Sequence, residues 1–591
     1  MSTPPPRPPY PAPARPRAFG RGWWALGAVL LVPAAGALLA YALTPYATLR
    51  DWYLRRTPDL YRSARWATDF FTPAVKARGT ALAWAALVAL GVAGYWMLRP
   101  RRAKPTPTGL PPLATQPTPA RWPRLRLAAP ADWPWLGGLL ALAAALWAWG
   151  ALRTPPAYDE VFSAVYCAGN GSLFVTWSYY MLPNNHVLFN LLNGGLFGWL
   201  HQLPWLVATG RGLSGLAYAG TLAVVYRLLA GATGRRWLGA ALAALAGVQY
   251  SLWGFGFQAR GYAGQALLTW LALAALLRYW QQPRRAWLLL NAGAVVTGYA
   301  LVPTFLFYHA GQLLAAAVVQ GQRRQLDGGF WRAQGAALAL AVAFYLPAIG
   351  FSGAGALVAN SYLRALPLSL AQFAASAWGI VRSYAPYCFG ETDLGPWPAY
   401  GLALVPLALL GHRRYGPLGL VYAAWLLVVL GGMGAMRRVL FHRNLLALFS
   451  LALVLAPLGV GVLLAHWRRW AGWAGSLLLL GWLAVVQVRH NPVQEPSRLY
   501  FYDVAGRYAA AQQRLGSLPG GWGSLGFSQE SFYPYWLYRQ AGGRAPHPAQ
   551  RPAPAADYFL TAPTDDDLSP GFTARYAPVD TVGEYRLFRR R

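Results

Sequence analysis

Acidic residues are scarce through the apolar body of this chain. Of 18 Asp and Glu in 591 residues, only five lie between Trp133 and Arg489: Asp159, Glu160, Asp327, Glu391 and Asp393. Charged residues of both signs make up 12% of the chain, against about 25% in soluble globular domains. That scarcity excludes an ordinary soluble fold. Cysteine is also rare. Cys167 and Cys388 exclude a disulfide framework and leave open a single bridge. No cleavable signal peptide is evident at the basic, Pro-rich start, because the first apolar run is long enough to span a bilayer. No basic domain with interleaved aromatics occurs, so the net charge of +33 does not indicate nucleic acid.

What the chain does have is a series of long apolar runs from residue 22 to residue 488. Runs of this length read as membrane spans. The expected fold class is an all-α polytopic membrane bundle of about 12–13 transmembrane helices with a small C-terminal α/β domain. Residues 1–21 read as a disordered cytoplasmic tail and 22–98 as a two-span hairpin joined by an amphipathic outer loop. Residues 99–132 read as a Pro-rich basic cytoplasmic linker, 133–489 as the main bundle, and 490–591 as an extracytoplasmic α/β domain. That last segment holds nine of the 18 acidic residues. A helix over 497–515 and strands near 524–528, 558–561 and 584–588 are predicted there.

The basic clusters set the sidedness. Arg235-Arg236, Arg284-Arg285, Arg323-Arg324, Arg413-Arg414 and Arg468-Arg469 all fall between apolar runs. The positive-inside rule assigns them to the cytoplasm. Parity then puts Asp159-Glu160 outside and requires that one of the runs 186–203 and 213–229 does not cross. The first is shorter and carries Asn190, Asn193, His201 and Gln202, so it is predicted to lie along the outer face. The loop 351–396 and the stretch Arg437–Arg443 also face outside.

Carboxylates at the edge of a bilayer are costly unless solvated, paired or functional. Asp159 and Glu160 can cap the helix that follows, act on an acceptor hydroxyl or amine, or hold a divalent cation. About 25 residues on, Pro183-Asn184-Asn185-His186 opens the next apolar run on the same side. Four arginines sit where the rule expects few positive charges: Arg211, Arg260 in Arg260-Gly261-Tyr262, Arg382 in Arg382-Ser383-Tyr384, and Arg443 in His442-Arg443-Asn444. Each alone reads as a snorkelling interfacial side chain. Together they suit an anionic, lipid-linked ligand, because arginine forks match phosphate oxygens. The abundant aromatics, 29 Trp among them, read mostly as interface belts.

Taken in order, Asp159-Glu160, Asn184-Asn185-His186, Arg211-Gly212-Leu213-Ser214, Gly234-Arg235-Arg236 and Ala259-Arg260-Gly261-Tyr262 resemble the GT-C superfamily of integral-membrane glycosyltransferases. The likeness is to the protein O-mannosyltransferase and aminoarabinose-transferase branch, similar to glycosyltransferase family 39, and covers about 133–320. Asn-Asn-His stands in place of the usual His-Pro-Pro-like element, and no acidic residue falls between Gly261 and Trp270. The resemblance implies inverting transfer of a hexosyl or pentosyl group from a polyprenyl-phosphate donor to a lipid, glycan or protein acceptor. The implied setting is the periplasmic face of a bacterial inner membrane. Asp159 would be the base, with Glu160 orienting it or helping to hold a cation. His186, Asn185, Arg211, Arg260, Tyr262, Arg382, Tyr384 and Arg443 would form the binding set. Two other classes stay open: a lipid or sugar transporter, and a non-catalytic envelope assembly protein.

Overall fold

The computed structural model describes residues 35–56, 63–98, 130–154, 156–180, 185–197, 203–358, 369–389, 396–437, 439–490, 513–520, 525–527, 556–561, 570–582 and 585–591. Most of the first expected span, the 99–129 linker, Asn184, Glu391, Asp393 and most of the predicted helix 497–515 fall outside them. By its contacts the chain divides into two units: Met1–Tyr53 with Thr72–Leu110, and Leu54–Phe71 with Pro111–Arg591.

The larger unit is a helical bundle. In chain order it comprises α1 (Trp133–Arg153), α2 (Tyr158–Phe162), α3 (Leu173–Ser178), α4 (Val187–Phe197), α5 (Leu203–Thr233), α6 (Arg236–Gly247), α7 (Tyr250–Gly256), α8 (Tyr262–Gln281), α9 (Arg285–Leu301), α10 (Leu306–Gln322), α11 (Gly328–Ser352), α12 (Leu370–Phe389), α13 (Pro396–Leu404), α14 (Gly416–Met436), α15 (Leu446–Ala465) and α16 (Arg469–His490). Six of these segments are long and apolar enough to cross a bilayer; α6 and α7, bent by 70° at their junction, form a possible seventh among the described residues. That is fewer than the 12–13 expected. Helices do stand at the other expected positions, but α9 and α10 have 17 residues each. At 1.5 Å per residue they reach roughly 26 Å, short of a ~30 Å hydrocarbon core. Helix α4, with 11 residues, spans roughly 16 Å and is too short to cross.

Ion pairs tie the two ends of α1 to α5, one partly exposed and one buried. Asp132, just before α1, accepts from Arg227, Tyr226 and Arg236. Glu160, just after α1, accepts from Arg211. The basic turn Gly234-Arg235-Arg236 is therefore more than a topology signal, since Arg236 closes the Asp132 cluster. Gly234 takes φ of 69° there, a left-handed conformation that glycine adopts at no steric cost.

The core centres on α15, whose first 14 residues, Leu446–Gly459, are all buried. Several tryptophans belong to the core rather than to an interface belt. Trp253, Trp270 and Trp425 are fully buried, and their indole N–H groups donate to Leu146 O, Ser450 Oγ and Tyr308 O. Burying so large a ring is favourable only when that N–H finds a partner. Cys167 and Cys388 are both buried and unbridged, so the disulfide left open by the sequence is absent. The supposed outer loop 351–396 contains the 20-residue helix α12, which packs on α15. Near the chain's end a mixed sheet forms, ordered β1 (Leu525–Phe527), β2 (Tyr558–Thr561), β4 (Tyr585–Arg590), β3 (Tyr576–Val582). The first pair is parallel and the others antiparallel. Strand β3 was not predicted; its burial does not alternate, so it lacks a period-2 signal.

In the smaller unit, Pro73–Leu98 is a 26-residue helix. Lys76 lies 4.6 Å over the Tyr41 ring and donates to Thr80.

Candidate functional site

The chain leaving α1 turns at Thr154 and re-enters helix at Tyr158. Glu160 sits in the first turn of α2 and reaches back to accept the Ala157 N–H at 2.7 Å, the acidic half of a capping box. Its other contacts are long-range. Arg211 grips it bidentately, Nε to Oε1 at 2.9 Å and Nη2 to Oε2 at 3.0 Å. The Ala259 N–H donates to Oε1 at 2.7 Å. Arg211 also donates to the carbonyls of Ala151 and Thr154. The Glu160 side chain is wholly buried and that of Arg211 7% exposed. The structure thus places two of the sequence candidates against each other, with four donors on one carboxylate.

Asp159, one residue earlier, faces a different environment. Its side chain is 22% exposed, and Oδ2 accepts from Arg443 Nη1 at 3.0 Å. Arg260 Nη2 stands 3.7 Å from the same oxygen. Arg260 is buried, and its Nη1 donates to the Asp159 carbonyl and to Ser163 Oγ. Ser163 is held by a wide helical turn, Ser163–Ala168, in which the Gly169 N–H bonds back to Ala164 O. Such i→i+5 turns concentrate at functional positions. Ser214, three residues past Arg211 on the same face of α5, donates to the Arg260 carbonyl at 3.0 Å. One face of α5 therefore fixes both Glu160 and the turn that presents Arg260. Ser163 and Ser214 escaped the sequence reading as functional residues; only Ser214 had a signal, its place in the quoted Arg211–Ser214 motif.

Tyr262 is buried beneath both arginines, whose guanidinium carbons lie 5.7 Å from its ring. His186 meets the Tyr262 ring edge-on at 4.5 Å. A Cβ at position 261 would come within 2.9 Å of His186 Nδ1, so Gly261 is required for that approach. His186 is 2% exposed, and neither ring nitrogen finds a partner at bonding geometry among the described residues. Burial, then the charges of Arg260 and Arg443, push its pKa well below the usual histidine value, against a weaker pull from the Leu301 backbone. The folded protein holds it neutral, whereas an unfolded chain takes up a proton below about pH 6.5. Stability is therefore lost as pH falls through that value, by up to about 1.4 kcal/mol per pH unit. Thermal midpoints in detergent from pH 8 to pH 5 should fall more steeply for the native protein than for His186→Gln; parallel curves would refute a neutral buried His186.

The remaining candidates are dispersed. Asn185 donates to the Thr176 and Tyr179 carbonyls and accepts from Asn190, so it pins the backbone that delivers His186. Tyr384 donates to the Leu440 carbonyl, joining α12 to the segment before Arg443. Arg382 is exposed on α12. His442 stacks flat on Tyr387 at 3.8 Å. Asn444 accepts from Thr304 and Tyr308, which fixes the turn carrying Arg443. Glu160 has no oxygen left over for a divalent cation. Both Glu160 oxygens already accept two hydrogen bonds each, and no cluster of three His, Cys, Asp or Glu side chains occurs among the described residues.

No protein-family model matches the chain, and no curated protein matches it. Among solved structures it is similar to the crystal structure of ArnT from Cupriavidus metallidurans in the apo state. That match has 16% identity, a TM-score of 0.46, and covers 78% of this chain and 98% of that one. It is also similar to the cryo-EM structure of the arabinosyltransferase EmbB from Mycobacterium smegmatis, at 12% identity and a TM-score of 0.35. This chain spans about half of EmbB's length, 49%, while 86% of this chain is covered.

Proposed function

We propose that this protein is a membrane glycosyltransferase that moves a sugar from a polyprenyl-phosphate donor to an acceptor hydroxyl or amine at the extracytoplasmic face. One observation carries the reading: a single partly exposed carboxylate, Asp159, flanked by the guanidinium groups of Arg443 and Arg260. Two cations around one anion leave a net positive cluster at the end of an apolar bundle. Such a cluster suits a phosphate whose sugar and lipid extend away from it.

The chemistry follows from the pairing. The donor's phosphodiester competes with Asp159 for Arg443 and Arg260, which are pre-positioned by Ser163, Ser214 and the Asp159 carbonyl. Once displaced from Arg443, the Asp159 carboxylate can accept a proton. The acceptor oxygen or nitrogen attacks the anomeric carbon, its proton passes to Asp159, and the bond from that carbon to the phosphate oxygen breaks with inversion. The departing polyprenyl phosphate carries the negative charge, and preset guanidinium groups stabilise charge as it develops. Glu160 and Arg211 position this machinery and touch no reacting atom. Tyr262 and His186, both buried, pack beneath the arginines and hold them in place.

A proteoliposome assay with a panel of radiolabelled polyprenyl-phosphate sugars and an acceptor extract tests this. Donor consumption is expected with one carrier class and should fall by roughly 10²-fold or more in Arg443→Gln, as loss of a preset charge stabiliser does. No consumption of any donor by folded protein would refute the transferase reading.

A further inference from the structure

At the end of the bundle opposite Asp159, one buried arginine has no counter-charge among the described residues. Arg278 lies in the last turn of α8 and is 4% exposed. Its Nη1 donates to Gln281 Oε1 at 3.1 Å. Its Nε and Nη2 are buried without a hydrogen-bond partner among the described residues. The nearest charge acting on it is also positive: Arg227 on α5 is close enough to repel it. Arg227 is itself committed to Asp132, which it shares with Arg236. Two arginines thus share the Asp132 carboxylate, and Arg278, buried near Arg227, has no carboxylate partner among the described residues.

An isolated buried charge costs several kcal/mol unless something compensates it. The C-terminal end of a helix supplies a partial negative charge, which assists Arg278 but leaves two N–H groups unsatisfied. A tetrahedral anion would satisfy both, since the Nε and Nη2 edge of a guanidinium is the fork that binds two phosphate oxygens. Basic notches between helices at the cytoplasmic ends of membrane bundles take anionic lipid headgroups in this way.

We infer that Arg278, with Arg227 and Gln281, forms a phosphate site between α5 and α8, filled by the headgroup of an anionic phospholipid. Arg278 supplies the bidentate fork, Arg227 the second positive charge, and the Gln281 amide a further donor. The occupant ties the ends of two helices whose far ends already meet, through Glu160 holding both Arg211 of α5 and the Ala259 N–H just before α8, and through Ser214 of α5 on the Arg260 carbonyl. The site stands apart from the transfer chemistry and does not depend on it.

The test uses full-length protein in a mild detergent, with thermal midpoints measured against rising phosphatidylglycerol, phosphatidylcholine or inorganic phosphate. Phosphatidylglycerol is expected to raise the midpoint and phosphatidylcholine to leave it unchanged. Arg278→Gln should weaken the apparent affinity for phosphatidylglycerol roughly tenfold, the worth of a charge-assisted pair of bonds. Arg278→Lys, which keeps the charge but not the fork, should fall between and guards against a folding defect in the glutamine variant. Arg284→Gln, an exposed cation at the same end, should change nothing. If inorganic phosphate stabilises as well and Arg278→Gln removes that effect, the phosphate site stands but is filled from solution. Equal stabilisation by phosphatidylcholine, or full response in both Arg278 variants, overturns the proposal.

Discussion

Replacing Glu160 with leucine should leave little folded protein, while pairing that change with Arg211→Met should recover most of it. In the single variant Arg211 stays in place, enclosed by α1, α2 and α5, with its counter-ion gone and the Ala157 and Ala259 N–H groups without their acceptor. Breaking a buried pair from one side costs about 3–5 kcal/mol. That is a large share of the roughly 5–15 kcal/mol by which a domain is stable. Removing both partners leaves an apolar pair of similar volume, and such replacements are often neutral. The backbone donors at 157 and 259 remain unmet, so recovery should be incomplete by about 1–3 kcal/mol each. Detergent-solubilised yield and thermal midpoint for the single and double variants measure this. Equal midpoints for the two would show that the ion pair is not what holds α1 to α5.

Some of this was legible in the sequence. Scarcity of acid singled out Asp159 and Glu160, and parity put Arg211, Arg260 and Arg443 at the same end of the bundle. What the sequence could not divide was the labour between neighbours. Two adjacent carboxylates look alike until their partners are known, and those partners lie 51 residues away for Glu160 and 284 for Asp159. One-residue spacing on a helix turns side chains about 100° apart, which sends Glu160 into the packed seam and Asp159 toward solvent. The same blindness hid Asp132, whose three partners all lie at 226–236. Arg382 and Tyr384 looked like one motif, yet two residues along a helix face apart: one is exposed and the other buried. Tryptophans at core and interface have the same composition signal, so Trp253 and Trp270 could not be told from belt residues without α15 to pack against.

Asp159→Asn should separate binding from chemistry. The side chain is 22% exposed, its pair with Arg443 is partly solvated, and asparagine keeps an oxygen toward the buried Arg260, so the change should cost the fold about 1–3 kcal/mol, less than the loss of Glu160. Transfer should fall by about 10²–10⁴-fold, the usual contribution of a positioned general base. Affinity for the donor should move the other way. The asparagine removes the anion that competes with the donor's phosphate for Arg443 and Arg260, worth up to roughly fivefold in affinity for a partly exposed pair. A polyprenyl-phosphate binding assay beside the transfer assay reads both quantities. Lower turnover with equal or tighter binding is the signature of a carboxylate that takes the acceptor's proton. Lower turnover with weaker binding would mean that Asp159 serves only to arrange its arginines, and full turnover in a folded Asp159→Asn protein would remove it from the reaction.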